Sequence, residues 1–67
     1  MKTTLIKVAG MENAQCVRLV TNALQDLPGI GHVEVSLVNA EASVEHGPMV
    51  SHEDIRQAIQ DAGFDAS

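Results

Sequence analysis

Between Thr4 and Ala9 the chain alternates with a period of two: Thr4, Ile6 and Val8 fall on one side, and Leu5, Lys7 and Ala9 on the other. This is the pattern of a strand with one buried face, here the face of Ile6 and Val8. Gly10 punctuates the run, and from Ala14 the period lengthens. Val17, Val20, Leu24 and Leu27 recur at helical spacing with Ala23 beside them. Asn13 is placed as the N-cap of that helix, its side-chain oxygen within reach of the N–H of Gln15 or Cys16. Pro28-Gly29 ends it. Val33, Val35 and Leu37 then alternate with His32, Glu34 and Ser36, predicting a half-buried strand. Asn39-Ala40 turns the chain into an antiparallel partner, in which Ala42 and Val44 alternate with Glu41, Ser43 and Glu45. Gly47-Pro48 breaks that strand. Ser51-His52-Glu53-Asp54 has the form of a capping box with aspartate as its acidic member. Ile55, Ala58, Ile59 and Ala62 follow as an apolar helical face. Gly63 closes the helix, and Phe64-Asp65-Ala66 leaves room for one short strand.

The order strand, helix, strand, strand, helix, strand predicts an α+β fold. It is a ferredoxin-like βαββαβ sandwich, with two helices on one face of a four-stranded antiparallel sheet. A single domain over residues 1–67 is expected. The crossovers place the first loop, the 38–41 hairpin and the 62–65 segment at one pole. The Pro28-Gly29 turn, the Gly47-Pro48 loop and both termini fall at the other.

Composition narrows the function. Sixty-seven residues form one small domain, which on folding buries only about 60% of the surface its unfolded chain exposes. Its single cysteine makes no internal disulfide, so that means of stabilising a small domain is closed. A lone thiol without a secretory segment points to a reducing compartment, and the cytoplasm is the expected location. No apolar run approaches the ~18 residues of a membrane span. Four basic residues stand against nine acidic ones, a formal net charge of -5. Nucleic acid is an unsuitable partner for such a surface, which also lacks tryptophan and tyrosine for stacking. A basic protein partner suits it.

The candidate chemistry lies at the junction of the first strand and the first helix, Gly10-Met11-Glu12-Asn13-Ala14-Gln15-Cys16. Cys16 falls in the first helical turn, where unpaired N–H groups favour an anion, making its sulfur a nucleophile and a soft-metal ligand. The plainer reading is a cysteine packed as a small apolar residue. Met11 offers a thioether suited to Cu(I), although a methionine beside Gly10 more often turns inward to plug the core. Glu12 and Asn13 supply oxygen only, which suits Zn²⁺ better than Cu(I). Their plainer roles are a solvated loop charge and the helix cap. His32, His46 and His52 are scattered in sequence but fall near the pole opposite Cys16. They would form a secondary Zn²⁺ or Cu²⁺ site if they converged, and are otherwise exposed loop histidines. There is no triad, no phosphate loop and little room for a substrate cleft, so an enzyme is not expected.

The chain resembles the heavy-metal-associated domain family, found as small copper chaperones and as N-terminal modules of P-type metal ATPases. The resemblance rests on Gly10-Met11, Cys16-Val17, Ala23-Leu24, Leu27-Pro28-Gly29-Ile30, Val33-Glu34-Val35, Ala42-Ser43-Val44 and Ala58-Ile59-Gln60-Asp61-Ala62-Gly63-Phe64. It implies reversible Cu(I) binding between two cysteines of a Gly-Met-x-Cys-x-x-Cys loop. It also implies hand-over to a partner domain through shared thiolates. In zinc-selective members an acidic residue precedes the first cysteine, which is where Glu12 stands. The chain departs from the family at one point: Asn13 occupies the position of the first cysteine, and only the second is kept, as Cys16. One thiolate cannot chelate. Three outcomes follow from the resemblance. A metal-bridged homodimer can form through two Cys16 thiolates. Cys16 can join the intact cysteine pair of a partner, whether a metal-transporting P-type ATPase or another heavy-metal-associated domain. Or the domain is metal-free and serves interaction or regulation. The expected cargo is Cu(I), with Zn(II) held by Glu12 and Cys16 as an alternative.

Overall fold

Alternation in the first strand is satisfied because Ile6 and Val8 are buried against two helices while Thr3, Leu5, Lys7 and Ala9 are exposed. Residues 2–66 are described by a computed structural model, in the order β1 (Lys2–Ala9), α1 (Ala14–Gln25), β2 (Ile30–Ser36), β3 (Glu41–His46), α2 (His52–Asp61) and β4 (Asp65–Ala66). The four strands form one antiparallel sheet in the order β2-β3-β1-β4. This is the expected ferredoxin-like βαββαβ arrangement. Ile6 and Val8 of β1, Ala42 and Val44 of β3, Val20 and Leu24 of α1, and Ile55 and Ile59 of α2 make one buried core with Val50. The opposite face of the sheet stays open, and Leu5 stands 62% exposed on it.

Each helix begins where its sequence directs. Asn13 caps α1. Around Ser51 both halves of the capping box form: its hydroxyl accepts from the Asp54 N–H at 3.2 Å, and the Asp54 carboxylate accepts from the Ser51 N–H at 3.1 Å. At the far end of α2, Gly63 adopts φ +101°, a left-handed conformation that glycine enters without steric cost. Gly63 N–H then donates to Gln60 O at 3.0 Å, and Phe64 N–H to Ile59 O at 3.3 Å. This pair of bonds is a Schellman stop, which satisfies the last helical carbonyls and turns the chain sharply.

The structure departs from the sequence reading at Leu37 and at His46. Leu37 is not an inward strand residue: β2 ends at Ser36, and Leu37 opens the turn over residues 37–40, where it is 38% exposed. Alternation continued past the point where the turn took over the backbone. β4 pairs Ala66 with Val8 and Asp65 with Ala9, beside the first loop, and the two chain ends expected at the far pole, Met1 and Ser67, lie outside the described residues. Lys2 does lie at the far pole, opposite His46. Finally, His46 belongs to β3 and is buried, at 3% exposure.

Burial of His46 is compatible with its chemistry because both ring nitrogens are bonded. The Gly47 carbonyl accepts from Nδ1–H at 3.0 Å, so in the neutral ring Nε2 accepts from the Thr4 hydroxyl at 2.6 Å. The Thr4 bond ties β1 to β3 at the pole away from the first loop. Thr4→Val keeps the shape and leaves Nε2 without a donor, which lowers stability by about 1–3 kcal/mol. A lower denaturant midpoint at unchanged slope checks this. Ala40, at φ 53°, is the only non-glycine residue with positive φ among those described. Ala40→Gly relieves that conformation and raises stability by about 1 kcal/mol, read from the same transition.

Candidate metal-binding loop

Residues 10–13 carry the chain from the end of β1 to the start of α1. Gly10 has φ +99°, and a Cβ built there would stand 3.6 Å from Phe64 Cδ1. The space is adequate, so it is the backbone angle that calls for glycine. Phe64 reaches this point because the α2 stop delivers it there. Its ring and Met11 both pack against the core as half-buried side chains.

Asn13 is extended, with φ −157° and ψ 178°. Its side-chain oxygen accepts from Gln15 N–H at 3.0 Å and Cys16 N–H at 3.1 Å. Its carbonyl accepts from Cys16 N–H at 3.1 Å and Val17 N–H at 3.3 Å. Cys16 is thus the third residue of α1, held by its own backbone and half-buried as a free thiol. It stands outside the buried core and is not sealed beneath it. Glu12 is exposed beside it in the loop.

The four loop candidates therefore share one short segment but differ in availability. Cys16 offers a free thiol on a half-buried residue. Asn13 has its oxygen engaged as a bifurcated helix cap. Met11 is packed toward the core, and Glu12 is turned to solvent. Among the described residues, no group of three or more His, Cys, Asp or Glu side chains is placed to hold a metal ion. The histidines follow the same rule. His32 and His52 are exposed at the far pole, with His32 Nε2 3.5 Å from Glu34 Oε1, while both ring nitrogens of His46 are engaged inside the fold. The secondary site expected from His32, His46 and His52 is not assembled. The sequence signal that identifies His46 as structural is its place at an even step after Ala42 and Val44, on the inward face.

Fold and loop are those of a small ferredoxin-like domain whose first loop is built around a thiol. The chain belongs to the Heavy-metal-associated domain family, which matches residues 5–65. Human copper-transporting ATPase 2 is 42% identical over 66 residues, which cover 97% of this chain and 4% of that protein. Copper-transporting ATPase RAN1 of Arabidopsis thaliana is 41% identical over 61 residues, covering 90% of this chain and 6% of that protein. The chain thus spans a small fraction of the length of these relatives. Among solved structures, a copper binding domain from HMA7, a P-type ATPase, superposes with TM-score 0.97 at 37% identity, covering 100% of this chain and 92% of that one. The CopZ metallochaperone superposes with TM-score 0.94 at 28% identity, covering 98% and 100%.

The cap geometry sets an expectation for Asn13. Asn13→Ala leaves the Gln15 amide without its acceptor and the Cys16 amide with the backbone carbonyl alone, and lowers stability by about 1 kcal/mol, while Asn13→Asp keeps the cap. Thermal denaturation of the two variants against the parent checks the order.

Proposed function

We propose that the domain is a cytoplasmic binding and trafficking module for a soft metal cargo, Cu(I), in which Cys16 is the single soft donor of a site completed from outside the chain. The observation that carries the reading is the placement of Cys16. Cys16 is a half-buried free thiol at the start of α1, in the segment that the family resemblance assigns to metal. The relatives named copper-transporting ATPases and the copper binding domain of HMA7 support copper as the cargo.

Chemistry of the donors argues for sharing. Cu(I) prefers sulfur, and the loop presents one thiol, with the Met11 thioether packed inward. A second thiolate then comes from another copy of the chain or from a partner domain with an intact cysteine pair, such as that of a metal-transporting P-type ATPase. In either case the metal is bridged rather than chelated. Zn(II) held by Glu12 and Cys16 is the harder-metal variant of this reading and also needs outside ligands.

A second reading rests on Asn13. Its oxygen accepts two amide hydrogen bonds, so the position of the lost ligand has gained a structural duty. On that reading the domain is metal-free and serves interaction or regulation.

Competition of the protein with a Cu(I) chelator, followed by sedimentation, separates the two. The cargo reading expects one Cu(I) per two chains with dimerisation, or Cu(I)-dependent complex formation with a two-cysteine domain. Both are lost in Cys16→Ser. Absence of Cu(I) uptake in both settings overturns it in favour of the metal-free reading. Asn13→Cys should create tight one-to-one Cu(I) binding while lowering apo stability by about 1 kcal/mol through loss of the cap.

A further inference from the structure

Thioether sulfur is oxidised according to its access to the oxidant, and the sulfoxide it forms is polar and chiral. The chain has three methionines, of which Met1 lies outside the described residues. The other two are in opposite situations. Met11 is half-buried and packs against the core. Met49 is 90% exposed.

The exposure of Met49 is built into the chain around it. Gly47, Pro48, Met49 and Val50 form a tight turn, closed by Val50 N–H donating to Gly47 O at 3.3 Å. Proline stands at the second position, where its fixed φ suits a turn. Met49 stands at the third. Ala40 is the only described non-glycine residue with positive φ, so the Met49 backbone follows a type I turn rather than type II. Both flanks are pinned against Gly29. Gly47 N–H donates to Gly29 O at 2.9 Å, and a Cβ built on Gly29 would stand 3.1 Å from Cγ2 of the buried Val50. Val50 takes the inward place, and Met49 is left at the tip. Bringing its side chain into the core would undo these contacts.

We propose that Met49 is a reversible oxidation site for peroxides, modified in the folded protein while Met11 is spared. In the forward step the Met49 sulfur attacks one peroxide oxygen. An S–O bond forms, the O–O bond breaks, and the departing hydroxide takes the proton of the transferred hydroxyl and leaves as water. Sulfur is oxidised by two electrons, and the peroxide is reduced. In the reverse step a methionine sulfoxide reductase takes two electrons from a pair of thiols, which become a disulfide, and the sulfoxide oxygen leaves as water.

The fold bears this change at one sulfur and not at the other. A sulfoxide at Met11 would set a polar group against core hydrocarbon. At Met49 it stands in water. What it alters is the surface: Met49 borders an apolar groove with Leu27, Pro28, Gly29 and Val50, beside the Asp54 carboxylate, and oxidation places a hydrogen-bond acceptor on that rim. The groove lies at the pole opposite Cys16, so the site is independent of any metal held at the thiol loop.

A time course with dilute hydrogen peroxide, quenched and read by peptide mass spectrometry, tests the proposal. It is run on the parent protein and on Cys16→Ser, which removes the competing thiol. In both, Met49 is expected to gain one oxygen about tenfold faster than Met11, and the two rates should converge in denaturant. The protein oxidised at Met49 alone should keep the unfolding midpoint of the parent. Reductases for both sulfoxide epimers, supplied with dithiothreitol, should restore Met49 without unfolding. Equal rates at Met11 and Met49 in the folded protein overturn the proposal. So does a rate ratio that persists in denaturant, because it owes nothing to the fold. A midpoint lowered by oxidation at Met49 alone, or a sulfoxide there that the reductases reach only after unfolding, overturns it as well.

Discussion

Burial of Ile6 and Val8 between the two helices is the contact on which the rest of the domain depends. β1 lies in the interior of the sheet, bonded to β3 along most of its length and to β4 at its end. Its inward side chains meet Val20 and Leu24 from one helix and Ile55 and Ile59 from the other. A one-residue slip would turn that whole set to solvent, so the packing also fixes the register. With the register set, the last inward position of β1 lies under the loop that leads to Cys16. The thiol is positioned by a core several residues away.

At the start of α1 the Asn13 side chain serves as the helix cap. An oxygen acceptor at position 13 satisfies two of the amides that every helix start leaves open. The same oxygen is thereby unavailable to a cation. What the loop offers to chemistry is one thiol on a half-buried residue.

The fold was legible because each element carries a strong and consistent local signal: period two in β1 and β3, helical spacing in α1 and α2, and distinct caps at Asn13 and Ser51. These signals agree with one another, which is the condition under which local reading succeeds. The N-cap at Asn13 and the helical place of Cys16 were readable for the same reason. Leu37 was misplaced because alternation in sequence does not register where a turn takes over the backbone. His46 is more instructive. Its position on the inward face was readable, but the Thr4 hydroxyl that makes burial tolerable lies 42 residues away in the sequence. No local pattern announces such a partner.

The Schellman stop at the end of α2 has a mechanical consequence for the thiol loop. Gly63 turns the chain so that Phe64 rests by Gly10, which makes the last turn of one helix a lid on the hinge that precedes the other. Fraying of residues 60–64 would release both at once, coupling the breathing of α2 to the aim of the Cys16 sulfur. Ordering at either end should therefore quiet the other, and a ligand gripped at the loop would be felt as slower amide exchange in a helix terminus that it never touches.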